Sequence, residues 1–154
     1  MIPPRYQDIP PEDVPEVLVE GGRVRIIAGD VEGTPGPIQG IVTNPTYLDV
    51  TLEPGATFTH GIPAEHNSFV YVFDGEGRVG ITESGNGTEI SAGTLAILED
   101  GDAVRSSSSD QGLRFLILAA KPIGEPIARY GPFVMTTAEE LEQAFADYRN
   151  GTLQ

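Results

Sequence analysis

The chain has 154 residues, enough for one domain with a real hydrophobic core, and its 39% hydrophobic and 21% charged residues mark it as globular rather than disordered. It carries 23 acids against 9 lysines and arginines, a formal net charge of -14, so its surface repels phosphate backbones and anionic lipid and disfavours direct binding to nucleic acid or membrane. The absence of cysteine excludes disulfides, thiolate zinc sites and cysteine nucleophiles, while 19 glycines and 13 prolines suit short strands better than long helices.

Residues 1–20 are acidic and proline-rich (Pro3, Pro4, Pro10, Pro11, Pro15), which predicts an extended arm, because proline cannot donate to a sheet ladder. After Met1 no apolar segment suggests a secretion signal or a membrane span, so a cytoplasmic chain is expected, and Asn86-Gly87-Thr88 and Asn150-Gly151-Thr152 read as chance glycosylation matches. A first strand runs from Val24 to Ala28, and a loop over 29–46 holds one short strand near Ile38 to Val42. Tyr47 to Glu53 alternates: Leu48, Val50 and Leu52 share one face, and Tyr47, Asp49 and Thr51 the other. Ala56 to His60 is the next strand.

The centre of the chain is Ser68 to Phe73, running into Asp74-Gly75-Glu76-Gly77. Its aromatic and β-branched residues predict a strand, and its glycines a sharp turn. Beyond it Ser84-Gly85-Asn86-Gly87 signals a hairpin between strands at 78–82 and 89–91. Gly93 to Glu99 is expected as a buried strand, Asp100 to Asp102 as a turn, Ala103 to Ser106 as a short strand and Ser107 to Gln111 as an exposed loop. Leu113 to Ala120 is the most apolar strand, and Tyr130 to Met135 is irregular but apolar. One helix closes the chain. Thr137 with Glu140 forms a capping box, Leu141, Ala144, Phe145 and Tyr148 line one face, and Gly151 stands at the C-terminal cap. Short strands at regular spacing predict an all-β antiparallel barrel, or double-stranded jelly roll, over 21–136, with the arm at 1–20 and the helix at 137–151.

Gly75-Glu76-Gly77-Arg78-Val79-Gly80 fits G-x-G-x-x-G, but here the loop opens onto another strand rather than the helix N-terminus a dinucleotide needs, so it reads as a tight turn. No nucleophile elbow or phosphate loop is present. The histidines are His60 and His66. Together with Glu65, or another acid, they supply the two nitrogens and one carboxylate that can hold iron, nickel or manganese on one face of an octahedron. The alternative is that both sit in a loop and make ordinary hydrogen bonds.

The strand-turn Val70-Tyr71-Val72-Phe73-Asp74-Gly75-Glu76-Gly77 resembles the cupin superfamily, many of whose members bind such metals through three histidines and a glutamate. In that register Ser68 stands where the glutamate belongs, residues 61–64 hold no histidine, and Val104 replaces the last histidine. A closer resemblance is to the C-terminal half of the pirin family. It is carried by Met1 to Gln7, Tyr47 to Gly55, Glu65 to Gly77, Gly124-Glu125-Pro126, Tyr130 to Met135 and Glu140 to Gly151. The resemblance implies a two-cupin parent whose N-terminal cupin carries the metal and a quercetin-oxidising activity. Some members are transcriptional co-regulators, and the C-terminal cupin generally lacks ligands.

The reading that follows is a metal-free cupin with no catalytic residue or cofactor, acting as a structural or binding module. Ser68, Val70, Val72 and Val104 are expected to line the barrel interior. Phe69, Tyr71 and Phe73 are expected to face outward and seat a partner, either a second copy in a homodimer or a missing N-terminal cupin. The rivals are a metal-dependent dioxygenase using His60, His66 and a carboxylate, and a co-regulator that binds protein rather than DNA.

Overall fold

The structure is a computed structural model that describes residues 6–99 and 101–153; Met1 to Arg5 of the expected arm, Asp100 of the expected turn and Gln154 lie outside the described residues. The chain divides into two compact units, 1–122 and 123–154. The division falls earlier than the barrel-to-helix boundary expected at 136.

The first unit is built on an eight-stranded antiparallel sheet. Its strands are β1 (Glu16–Val19), β2 (Gly22–Ala28), β5 (Thr46–Leu52), β6 (Thr57–Gly61), β7 (Asn67–Val79), β8 (Thr88–Ser91), β9 (Leu95–Ile97) and β10 (Ala103–Ala120). A small pair, β3 (Asp30–Val31) and β4 (Thr34–Pro35), turns around Gly33, whose N–H donates to Asp30 Oδ1 at 2.9 Å. The sheet order is β1-β2-β5-β10-β7-β8, with β6 also on β10 and β9 on β7. Strand β10 thus pairs with three others, and that pairing closes the sheet around one core.

Alternation fixes which side chains enter that core. Thr46, Leu48, Val50 and Leu52 of β5 are buried, while Tyr47, Asp49 and Thr51 between them are half-buried. Val24 and Ile26 of β2, Val70 and Val72 of β7, and Phe115 and Ile117 of β10 are all 0% exposed. At about 1.5–3 kcal/mol for each large apolar side chain taken out of water, this cluster dominates the unit's stability.

Several elements depart from the sequence reading. The arm is not extended throughout. A single 3-10 turn, Pro11–Asp13, leads to β1, which pairs with β2 from Glu16↔Arg25 to Val19↔Gly22, and Val17 and Val19 pack against the core. No strand forms at 38–42. Ile38 makes one parallel bridge to Ala28, and the ladder lies instead at β3 and β4. Asp74 to Gly77 is not a turn, because β7 runs through it. Gly75 has φ 75°, and a Cβ there would lie 2.2 Å from the Gly112 carbonyl oxygen, while one on Gly77 would lie 2.1 Å from that of Ser107. These glycines serve backbone approach rather than reversal.

The segments 103–106, 107–111 and 113–120 are likewise one strand, β10. It is irregular between Ser108 and Leu113, where Gly112 adopts φ 80°. Its serines belong to the ladder. Ser106 is 1% exposed and donates to the Phe58 carbonyl at 3.4 Å, and Ser108 Oγ accepts from Ala56 N at 3.0 Å. The expected buried strand at 93–99 shrinks to β9, whose Leu95 and Ile97 are 56% and 80% exposed. The hairpin at 84–87 reverses through Gly85, at φ 80°, with Thr82 N donating to the Asn86 carbonyl at 2.8 Å.

The second unit consists of a hairpin, β11 (Ala128–Tyr130) with β12 (Phe133–Met135), and a helix, α1 (Ala138–Asn150). The expected capping box is present: Glu140 N donates to Thr137 Oγ1 at 3.2 Å, and Thr137 N to Glu140 Oε2 at 3.2 Å. Gly151 takes φ 70° at the C-cap. Hydrogen bonds from Thr136 and Thr137 hold the Glu140 carboxyl below its ordinary range. Phe145 is the hub of the unit, meeting Phe133 edge-on at 4.9 Å and Tyr130 at 5.5 Å.

Candidate functional site

Two surfaces of the first unit gather the residues that sequence reasoning singled out. The first is a cavity of about 590 Å³ that both histidines line. Its walls include Asp30, Ile38, Thr46 and Pro63. Strand β6 delivers His60 two residues after buried Phe58, on the same face, so the imidazole lies over the phenyl ring at 6.3 Å with planes 5° apart. Burial lowers the His60 pKa, and the Asp30 charge partly opposes that shift. Burial thus disfavours the charged form of the imidazole. His66 follows a turn in which its N–H donates to the Pro63 carbonyl at 2.9 Å, and its ring Nδ1 is buried without a hydrogen-bond partner.

The expected trio of His60, His66 and Glu65 is not assembled. Glu65 is exposed and lies off the cavity, and the acid facing His60 is Asp30. Sequence reasoning missed Asp30 because its approach to residue 60 depends on pairings remote in sequence, β2 on β5 and both β5 and β6 on β10. Among the described residues no three or more histidines, aspartates or glutamates are grouped so as to hold a metal ion. Directly across the ladder from His60 stands Val104, 2% exposed, an aliphatic residue at the position of the cupin pattern's last ligand. The residues present do not fit a three-histidine-and-glutamate centre. What the cavity offers is the His60 imidazole, the unpaired His66 Nδ1, the Asp30 carboxylate and apolar walls. Among the described residues no lysine or arginine lines it.

Of the residues expected to line the interior, Val70 and Val72 are packed at 0% exposure within the core. Val104 packs there too, and Ser68 is half-buried, its carbonyl accepting from Leu98 N at 3.0 Å.

The second surface is the outer face of β7. Phe69, Tyr71 and Phe73 are 37%, 40% and 37% exposed. Their cross-strand neighbours extend the apolar band. Phe69 pairs with Ile97 on one side and Leu118 on the other, and Tyr71 with Leu95 and Leu116. Tyr47 of β5 continues the row beyond Leu118. One charged pair borders the band. Arg114 grips Asp49 with both Nε (3.1 Å) and Nη2 (2.8 Å), and its guanidinium carbon sits 4.6 Å above the Phe73 ring. The fork is thus held over an aromatic face, within cation–π reach. Sequence alternation along 68–73 separates the two faces of β7; the contribution of Leu95 and Ile97 to the outer one was not legible, because a short apolar run does not show which way it points.

Comparison with known proteins adds the following. A family model described as the pirin C-terminal cupin domain matches residues 47–154. Pirin-like protein 2 of Arabidopsis thaliana is 38% identical over 156 aligned residues, which cover 98% of this chain and 48% of that protein. Pirin of Homo sapiens is 34% identical over 152, covering 97% and 51%. The chain spans about half the length of the curated relatives it matches. Among solved structures, a quercetin 2,3-dioxygenase of Acinetobacter baumannii overlays with a TM-score of 0.80 at 30% identity, across 97% of this chain and 50% of that one. Among the described residues no helix is long and apolar enough to cross a membrane.

Proposed function

Because the chain belongs to the pirin family, as that family's C-terminal cupin domain, we propose that it serves as a metal-free binding module whose outer β7 face seats a second barrel. The exposed band of Phe69, Tyr71, Phe73, Leu95 and Ile97 carries this reading, since a contiguous apolar face of that kind marks an interaction surface. The relatives supply the kind of partner: each is about twice as long as the matched stretch, so each holds a further half beside this domain. For the 154-residue chain by itself, the occupant is a second copy.

The charge makes a distinctive demand on such a dimer. Two bodies of net charge -14 repel, so association driven by the apolar band strengthens as salt rises. Light scattering on the purified chain is expected to give twice the 16.4 kDa monomer mass, with a weaker dimer at low salt. Tyr71→Asp, on the exposed face, is expected to leave a folded monomer. A monomer at every salt concentration overturns the reading.

A second reading, a metal-dependent dioxygenase, takes its support from His60 and His66 sharing one cavity and from the name of the A. baumannii relative. It needs three donors gathered about one point, and among the described residues no three histidines, aspartates or glutamates are so grouped. Elemental analysis of protein purified without chelator separates the two. Stoichiometric iron, nickel or manganese that disappears in a His60→Ala, His66→Ala variant favours the enzyme; its absence favours the module.

A further inference from the structure

The chain has four asparagines, and the fold places them in four different chemical situations. Asn44 precedes Pro45, whose nitrogen carries no hydrogen and cannot act as a nucleophile. Asn67 precedes Ser68 inside β7, where both residues pair with β10. Asn150 ends α1, and the N–H of the following Gly151 is engaged by the carbonyls of Asp147 and Tyr148. Asn86 stands in the exposed reversal between β7 and β8, and the N–H of Gly87 after it donates to no acceptor among the described residues.

From this contrast we infer that Asn86 is a site of spontaneous self-modification: it deamidates in the folded protein, while Asn150, in the same Asn-Gly dipeptide, does not. Glycine is the most permissive follower, since it adds no side chain to hinder closure of a five-membered ring. The Gly87 amide nitrogen gives its proton to hydroxide from the solvent and attacks Asn86 Cγ. The new N–Cγ bond replaces Cγ–Nδ2, and ammonia departs, leaving a succinimide. Water then opens the ring. Attack at Cγ gives aspartate, and attack at the backbone carbonyl gives isoaspartate. The balance is one amide and one water in, one carboxylic acid and one ammonia out, with no change of oxidation state.

The reversal assists the step at two points. Its backbone is anchored at the Asn86 carbonyl, which accepts from Thr82 N at 2.8 Å and from Thr82 Oγ1 at 3.3 Å, while at the other end of the same peptide link the Gly87 N–H, whose nitrogen must attack, is unengaged. The departing nitrogen, Nδ2, donates to Ser84 Oγ at 3.3 Å, and that hydroxyl is in turn 2.8 Å from Thr82 Oγ1. Once attack at Cγ has turned Nδ2 into an amine, this hydroxyl pair is positioned to hand it the proton with which it leaves as ammonia. The product adds a carboxylate beside Glu83 and Glu89 in an already acidic region. In its isoaspartyl form it also adds one methylene to the backbone, just before the β7–β8 ladder begins at Val79↔Thr88.

The test is peptide mapping by mass spectrometry after incubating the intact, folded chain in warm, mildly alkaline buffer. The peptide with Asn86 is expected to gain the mass of an NH-to-O exchange and to split into aspartyl and isoaspartyl forms. Asn150 is expected to react at least about tenfold more slowly, the ratio set by the free energy of opening the helix end. In guanidinium the two rates should converge. Ser84→Ala is expected to slow Asn86 in native buffer and leave its rate in guanidinium unchanged; an unaffected native rate refutes the role of the hydroxyl pair. Equal native rates at Asn86 and Asn150, or an Asn86 no faster than Asn67, overturn the proposal.

Discussion

The two units of this chain solve the problem of stability in opposite ways. The first unit closes a barrel around a cluster whose largest members, Phe115, Ile26, Leu48 and Ile117, are fully buried. In residues 123–153 the buried side chain is Ala144; Tyr130, Val134 and Tyr148 are 71%, 59% and 67% exposed. There the structure is held by local devices: a capping box, a glycine C-cap and aromatic rings meeting edge to face. A barrel is paid for by long-range burial, whereas a hairpin and helix this small depend on contacts near in sequence, and such a segment is marginal by itself.

That contrast can be broken most directly at Phe115. Phe115→Ala removes a fully buried ring and is expected to cost about 3–5 kcal/mol, read as a drop in the urea midpoint of the strand signal. A loss under about 1 kcal/mol would show that the core is not the barrel's main support. A smaller, local effect belongs to the other unit. Thr137→Ala deletes the cap and is expected to cost about 1 kcal/mol of helix stability, seen as reduced helical circular dichroism with the strand transition unmoved. If the strand transition falls equally, the two units do not differ as described.

The smallest effect is electrostatic and lies in the barrel. Burial depresses the His60 pKa, so below about pH 6.5 the unfolded chain binds more protons than the folded one. Stability should therefore decline as the pH falls through that value towards the folded pKa. His60→Gln should flatten that part of the profile, whereas Asp30→Asn should steepen it by removing the opposing charge. A profile indifferent to both substitutions would contradict the burial of the imidazole.

What the sequence disclosed was governed by periodicity. The alternation from Tyr47 names the inward and outward residues of β5 one by one up to Leu52, and the helix with both of its caps can be read from Thr137 to Gly151. What it concealed depended on neighbours remote in sequence. Gly75 and Gly77 look like a reversal until Gly112 and Ser107 are seen to press against them. Ser107 to Gln111 looks like a loop in sequence, but it belongs to β10, and the Ser108 hydroxyl bonds the backbone of the β5–β6 connection, a role invisible in a polar run. The cavity suffered the same blindness. His60 and His66 were legible as candidates, but Asp30 in place of Glu65 required the tertiary ladder.

Strand β10 has one more consequence. A single chain segment, bent at Gly112, is hydrogen-bonded to β6 and β7 before the bend and to β5 and β7 after it. Neither layer can peel away while that rib stays in place, so loosening at the rim does not propagate inward. The amides of Leu113 to Ala119 are then the slowest clock in the molecule, trading their hydrogens for solvent deuterium only when the whole barrel comes apart.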